Sequence, residues 1–205
     1  MANLILNGST SGSVTLSSPA VSGTTTLTLP TTSGTVLTSA SNTGFPAGSI
    51  LQVVSTTKTD SFSTASTSFT DVTGLSVSIT PSSASNKILV FISCTMGASV
   101  DDKVLPLQLV RSSTTIGLAD QSGSNRLRTS GGAMTAQNDG NAAVETRNVS
   151  FQYLDSPSTT SSTTYKIQTR AGTSGTIFIG ITSDATDDAN RASYPATITV
   201  MEVKG

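Results

Sequence analysis

From residue 50 onward, apolar and polar positions alternate in short stretches. Leu75, Val77 and Ile79 are separated by serines, and Val149, Phe151 and Tyr153 by Ser150 and Gln152. Ile198 and Val200 alternate with Thr197 and Thr199. A period of two marks a strand that covers one face and wets the other. On this pattern strands are predicted over 50–55, 69–72, 75–80, 87–95, 105–111, 114–118, 144–154, 164–170, 176–181 and 196–203. The stretches 88–92 and 177–181 are nearly continuous apolar runs. They suit strands covered on both faces, one by a sandwich core and the other by a neighbouring chain. The first run competes with a helix, but it is short and β-branched, which favours a strand. Strands at this density with polar turns between them predict a sandwich or barrel. The long connections after 55, 118 and 181 fit a Greek key or jelly roll better than a meander. The expected fold is therefore all-β, an antiparallel jelly-roll sandwich over 50–205.

The first 49 residues follow another rule. Ser11-Gly12, Ser22-Gly23 and Ser33-Gly34 recur every eleven residues, as do Pro19 and Pro30. Short alternating stretches at 14–16, 26–29 and 36–37 lie between these markers. Each unit reads as a glycine turn, a short strand and usually a proline corner. One such unit cannot bury its apolar side alone. The short strands must therefore pack on the main domain, on sister chains or on another protein. Residues 39–49, with Gly44, Pro46 and Gly48, read as a linker. Two parts are expected: an attachment segment of β-repeats with its linker over 1–49, and the jelly roll over 50–205.

Composition sharpens the picture. Serine and threonine make up about a third of the 205 residues, far above ordinary usage. Threonine suits strands and serine suits turns. Charged residues are 11% and hydrophobic ones 35%, which gives a modest core under a hydroxyl-rich surface. Clustered valine and isoleucine argue against disorder. The net charge is −1 and the eleven basic residues are scattered, so no nucleic-acid footprint is expected. No stretch approaches the ~20 apolar residues of a membrane span. The start, Met1 to Asn7, lacks the charged and apolar regions of a signal peptide. The chain is expected to be made in the cytoplasm and to leave it by another route, such as lysis.

Residues suited to catalysis are few. There is no histidine, which removes the commonest general base and the commonest transition-metal ligand. The single cysteine, Cys94, lies in an apolar run and reads as a small buried hydrophobe. Ser130 to Ala133 is glycine-rich but opens no helix, so it makes a poor phosphate cradle. Asp101-Asp102 and Asp184, Asp187 and Asp188 sit in predicted loops. They could hold Ca²⁺ or serve a glycosidase, but solvated turns are the simpler reading. Arg126 and Arg128 flank Leu127 in a polar loop. They can grip carboxylates or sugar phosphates, or form ion pairs between subunits, which is the simpler reading. Phe69, Phe91, Phe151, Tyr153, Tyr165 and Phe178 occupy strand positions and read as core or subunit seam. Tyr194, in a loop, is the better candidate for an exposed ring. No catalytic residue, metal ligand or cofactor is expected; Arg126, Arg128 and Tyr194 are the surface-contact candidates.

Some of these stretches resemble a known family. Residues 6–16 (LNGSTSGSVTL) and 26–38 (TLTLPTTSGTVLT) look like the N-terminal part of phage virion proteins. They resemble the tail-fibre-like proteins of marine phages in particular. Residues 80–90 (TPSSASNKILV) and 196–203 (ATITVMEV) resemble strands of their companion domain, which is similar to the trimeric jelly roll of the C1q and TNF type. The resemblance implies a homotrimer in a virion, with other virion proteins as partners and a host-surface glycan or protein at the distal end. It implies a tail fibre or tail appendage, and carries no catalytic motif. A capsid decoration or cement protein is the alternative; the short chain, with little room for a shaft, counts against a long fibre. A carbohydrate-active enzyme is a third reading, opposed by the missing histidine and the scarcity of aromatic residues.

Overall fold

The structure is a computed structural model that describes residues 4–7, 9–16, 23–24, 26, 31–33, 44–121, 123–135, 145–182, 189 and 191–205. The chain divides into two units, Met1–Gly44 and Phe45–Gly205. In the first, β1 (Leu4–Asn7) pairs antiparallel with β2 (Ser13–Leu16), Leu4 opposite Leu16 and Asn7 opposite Ser13. Gly12, at φ +78°, supplies the left-handed residue that brings the chain into β2. Ile5 and Leu6 are both exposed. The repeat strands expected at 26–29 and 36–37 fall wholly or mostly outside the described residues.

The second unit is an antiparallel jelly-roll sandwich with no helix among its described residues. One sheet holds β3 (Ile50–Lys58), β4 (Phe62–Thr64), β6 (Lys87–Ala98), β10 (Thr146–Asp155), β12 (Ile177–Ile179) and β13 (Ala196–Val203). The other holds β5 (Thr70–Ile79), β7 (Val104–Arg111), β8 (Thr114–Ile116), β9 (Gly131–Met134) and β11 (Thr163–Thr169). β13 pairs with β6 over 87–93, and β12 continues along the same edge over 96–98. β4 pairs with β12 as β3 pairs with β13, so the first sheet is four lanes wide. In the second sheet β8 and β9 share the edge of β7 beyond β11, which again leaves four lanes. The chain changes sheet between β4 and β5, β5 and β6, β6 and β7, β9 and β10, β10 and β11, and β11 and β12. Short links make several of these switches, as over 65–69 and 99–103, whereas the connections expected to be long after 55, 118 and 181 lead to strands of the same sheet, β4, β9 and β13.

The alternating stretches make the core. Ile88, Val90 and Ile92 of β6 and Ile198 and Val200 of β13 face Leu75, Val77 and Ile79 of β5 and Leu105, Leu107 and Leu109 of β7, all buried. Each such side chain contributes about 1.5–3 kcal/mol by leaving water. Tyr165 and Ile167 of β11 are fully buried between them. Cys94 lies in the same layer, where burial alone pushes its thiol up to about 12.

Three local readings change. The predicted strands 69–72 and 75–80 are one strand, β5, with a bulge where β11 shifts register between Lys166 and Gln168. Gly74, at φ +81°, takes the conformation the bulge needs, and in sequence it reads as a break. The glycine-rich stretch at Ser130 is not a loop but the approach to β9. A Cβ on Gly131 would collide with the ring of Phe151, and one on Gly132 would sit 2.6 Å from the Leu105 carbonyl oxygen. Gly131 thus makes room for the Phe151 ring of the facing sheet, and Gly132 for close approach to the backbone of β7. Finally, residues 45–49 belong to the sandwich unit. The Gly48 N–H donates to the Lys204 carbonyl at 2.8 Å, and the Lys204 N–H to the Ser49 carbonyl at 2.9 Å.

Candidate functional site

Buried ionisable groups are the first place to look for chemistry, and here three of them serve as clips. Glu202 ends the inward face of β13 and is 1% exposed. Its Oε1 accepts from the Ser82 N–H at 2.6 Å, the Ser82 hydroxyl at 2.8 Å and Asn86 Nδ2 at 2.5 Å. Its Oε2 accepts from Gln52 Nε2 at 2.6 Å. Burial pushes the carboxyl up, but the bonds from Asn86, Gln52 and Ser82 outweigh it and hold the group below its ordinary value. The carboxylate ties the turn between β5 and β6 to the last strand.

Asp155 of β10 joins the two sheets. Arg111 Nη1 of β7 donates to both of its oxygens, at 2.9 and 3.0 Å, and the Tyr165 hydroxyl of β11 donates at 2.6 Å. Burial, then this bond, raise the phenol well above its ordinary range. Lys58, also buried, donates to Asp60 at 2.8 Å and lies across the bulge at Gly74. Each group is engaged within the fold.

Two outward features remain. The first is the outer face of the sheet that carries β3. Strand register places Val53 beside Met201, Met201 beside Leu89 and Leu89 beside Leu154, a continuous apolar row across four strands. Val53 is 55% exposed and Leu154 46%. The next row is Ser55, Thr199, Phe91 and Gln152. Here Phe91 borders a shallow depression of about 310 Å³ with Ser150 and Gln152. Among the outward positions so paired, only Lys87 is charged. The run 88–92 thus has one face in the core and the other on this surface.

The second feature is a cleft of about 420 Å³ at one end of the sandwich. Thr169 pairs with Leu107, so the end of β11 lies beside the start of β7 and brings Arg170 near Lys103. The loop after β8 folds back over them, where Ser130 donates its N–H to the Leu107 carbonyl at 2.9 Å, and Arg126 and Leu127 complete the lining. Asp102, Val104 and Pro106 form the rest of the near wall.

The structure divides the two sequence-predicted arginines. Arg126 lines the cleft, whereas Arg128 turns away and donates from Nε to the Ala119 carbonyl at 2.7 Å. Tyr194 is half-buried, its N–H donating to the Gly180 carbonyl at 2.7 Å. Asp184, Asp187 and Asp188 lie outside the described residues. Among the described residues, no three of Cys, Asp and Glu gather closely enough to hold a metal ion. Lys103 and Arg170 escaped the sequence reading because they are far from Arg126 along the chain, and only strand pairing joins them.

No family model matches the chain, and no curated protein matches it. One similar solved chain belongs to a structure of infectious bursal disease virus, Gx strain. The two are 15% identical with a TM-score of 0.36, and the match covers 78% of this chain and 37% of that one. This chain therefore spans well under half of that one's length, and the likeness is too slight to bear on function.

Proposed function

We propose that this protein is a structural and attachment component of a virus particle, without catalytic chemistry of its own, built as a homotrimer. The observation that carries the reading is the apolar row Val53, Met201, Leu89 and Leu154 on an otherwise hydroxyl-rich sandwich. A sheet face with one charge and large exposed side chains is a surface that another chain covers. Covering what remains open on Val53 and Leu154 is worth about 1 kcal/mol each. Threefold assembly follows the resemblance to trimeric jelly rolls; the face itself asks only for an apolar mate, which in a closed ring of three is a different patch of the sister chain. The first unit, with Ile5 and Leu6 uncovered, is the segment that joins a neighbouring virion protein. In this reading the protein works in the virion as a tail fibre or tail appendage, with the sandwich turned toward the host surface.

The competing position is capsid decoration, where the same fold clamps shell subunits. Copy number separates the two. Quantitative mass spectrometry of purified particles should find from a few to some tens of copies; hundreds would move the protein to the capsid. Absence from the particle would end the virion reading.

A further inference from the structure

We infer that the cleft between Lys103, Arg126 and Arg170 binds a sugar that carries a carboxylate. As a means of host contact this rests on the reading above, but binding is a property of the sandwich unit and can be measured alone. Three cations line the cleft against one carboxylate, Asp102, in a chain whose net charge is −1. Lys103, Arg126 and Arg170 form no ion pair within the described residues. The guanidinium of Arg170 lies 6.0 Å from the centroid of the Phe69 ring. That contact restrains the group while leaving its N–H edge to donate.

The rest of the lining is mixed. Val104 is 50% exposed and Leu127 40%, an uncovered apolar wall beside the charges. Asn125 and Thr173 supply polar groups. The volume, about 420 Å³, lies within the range of small-molecule sites.

These features suit simpler ligands less well. A bare phosphate would meet the cations and leave the apolar wall wet. A purely apolar ligand would strip water from the cations without replacing it. An acidic sugar uses all three kinds of group. Its carboxylate accepts from the arginine forks, the C–H face of its ring lies on Val104 and Leu127, and its hydroxyls reach Asn125, Thr173 and Asp102.

The test titrates the full chain with an oligogalacturonate while amide resonances are followed by NMR. A fully methyl-esterified oligomer and inorganic phosphate are run in parallel. The expected result is saturable shifts around residues 103–104, 126–127 and 170–172. Arg126→Ala should weaken binding about tenfold or more, and added salt should weaken it further. Arg126 is exposed in a loop, so its variant keeps the fold. Arg128→Ala, which removes an arginine already bonded to the Ala119 carbonyl, should change binding less than about twofold. Equal binding of the esterified oligomer, displacement by equimolar phosphate, or no saturation at millimolar oligomer would each overturn the proposal. So would an equal loss in the Arg126 and Arg128 variants. None of these outcomes touches the virion reading, which stands or falls on the particle count.

Discussion

Replacing Glu202 tests whether one carboxylate holds the β5–β6 turn in place. In Glu202→Ala, four bonds to a charged acceptor disappear. Their donors fare differently. Gln52 still donates to the Thr80 carbonyl at 2.8 Å, and Ser82 is exposed and can turn to water. Asn86 is 4% exposed and keeps only the Ser82 hydroxyl, at 3.2 Å, as acceptor for its Nδ2. A hydrogen bond to a charged group is worth about 1.5–3 kcal/mol, and a stranded buried donor costs about 1–3 kcal/mol. With the Gln52 and Ser82 losses largely recovered from water, the net cost is about 3–5 kcal/mol. That is a large share of the ~5–15 kcal/mol by which domains are stable. Glu202→Gln keeps one acceptor oxygen and the volume, so it should cost only about 1–2 kcal/mol. The pH dependence separates charge from packing. The folded carboxyl titrates below its ordinary value of 4.5. Its contribution is therefore complete above the unfolded pKa and is lost as pH falls from about 4.5 through the folded value. Glu202→Gln should flatten that part of the acid slope and leave the slope above pH 5 unchanged. Urea unfolding followed by far-UV circular dichroism at a series of pH values measures both effects. A cost under about 1 kcal/mol for Glu202→Ala, or an unchanged acid slope in Glu202→Gln, would refute the reasoning.

Further outcomes follow from the same structure. Tyr165→Phe should cost about 1–2 kcal/mol and Asp155→Ala more, because the latter also takes the carboxylate from Arg111 and leaves it only the Ser156 carbonyl at 3.4 Å; urea midpoints rank them. Cys94 should resist thiol reagents at pH 8 in the folded protein and react at the ordinary rate in denaturant, since burial holds its thiol near 12; a timed alkylation assay reads this. Gly131→Ala should destabilise by about 1–3 kcal/mol, because the new methyl meets the ring of Phe151. Pairing it with Phe151→Leu should recover part of the loss in a thermal melt.

The sandwich was legible in sequence wherever one face was buried. Leu75, Val77 and Ile79, or Ile198 and Val200, carry a period of two because their intervening residues meet water or a hydroxyl-rich surface. Positions with backbone exceptions were harder to read. Gly74 marks a bulge that leaves the strand intact, and Gly131 and Gly132 mark an edge strand; in sequence both look like interruptions. The clips were invisible for a different reason. Asp155 and Glu202 resemble strand-end surface residues until pairing sets them opposite Ile88 on the inward face. The cleft was half legible. Arg126 stood out in a polar loop, but its partners Lys103 and Arg170 come from the ends of two strands that meet only by antiparallel pairing. The apolar outer row was visible as an excess of hydrophobic residues in 88–92, while its extension to Val53, Met201 and Leu154 required the register.

The most direct test of the central claim is the mass of the native chain in solution. Size-exclusion chromatography with light scattering, at micromolar concentration, should give three times the 20.8 kDa of one chain. Val53→Asp, which places a charge at the exposed edge-strand end of the outer apolar row, should give a folded monomer with an unchanged circular dichroism spectrum. A wild-type chain that is folded and monomeric at that concentration would contradict the account.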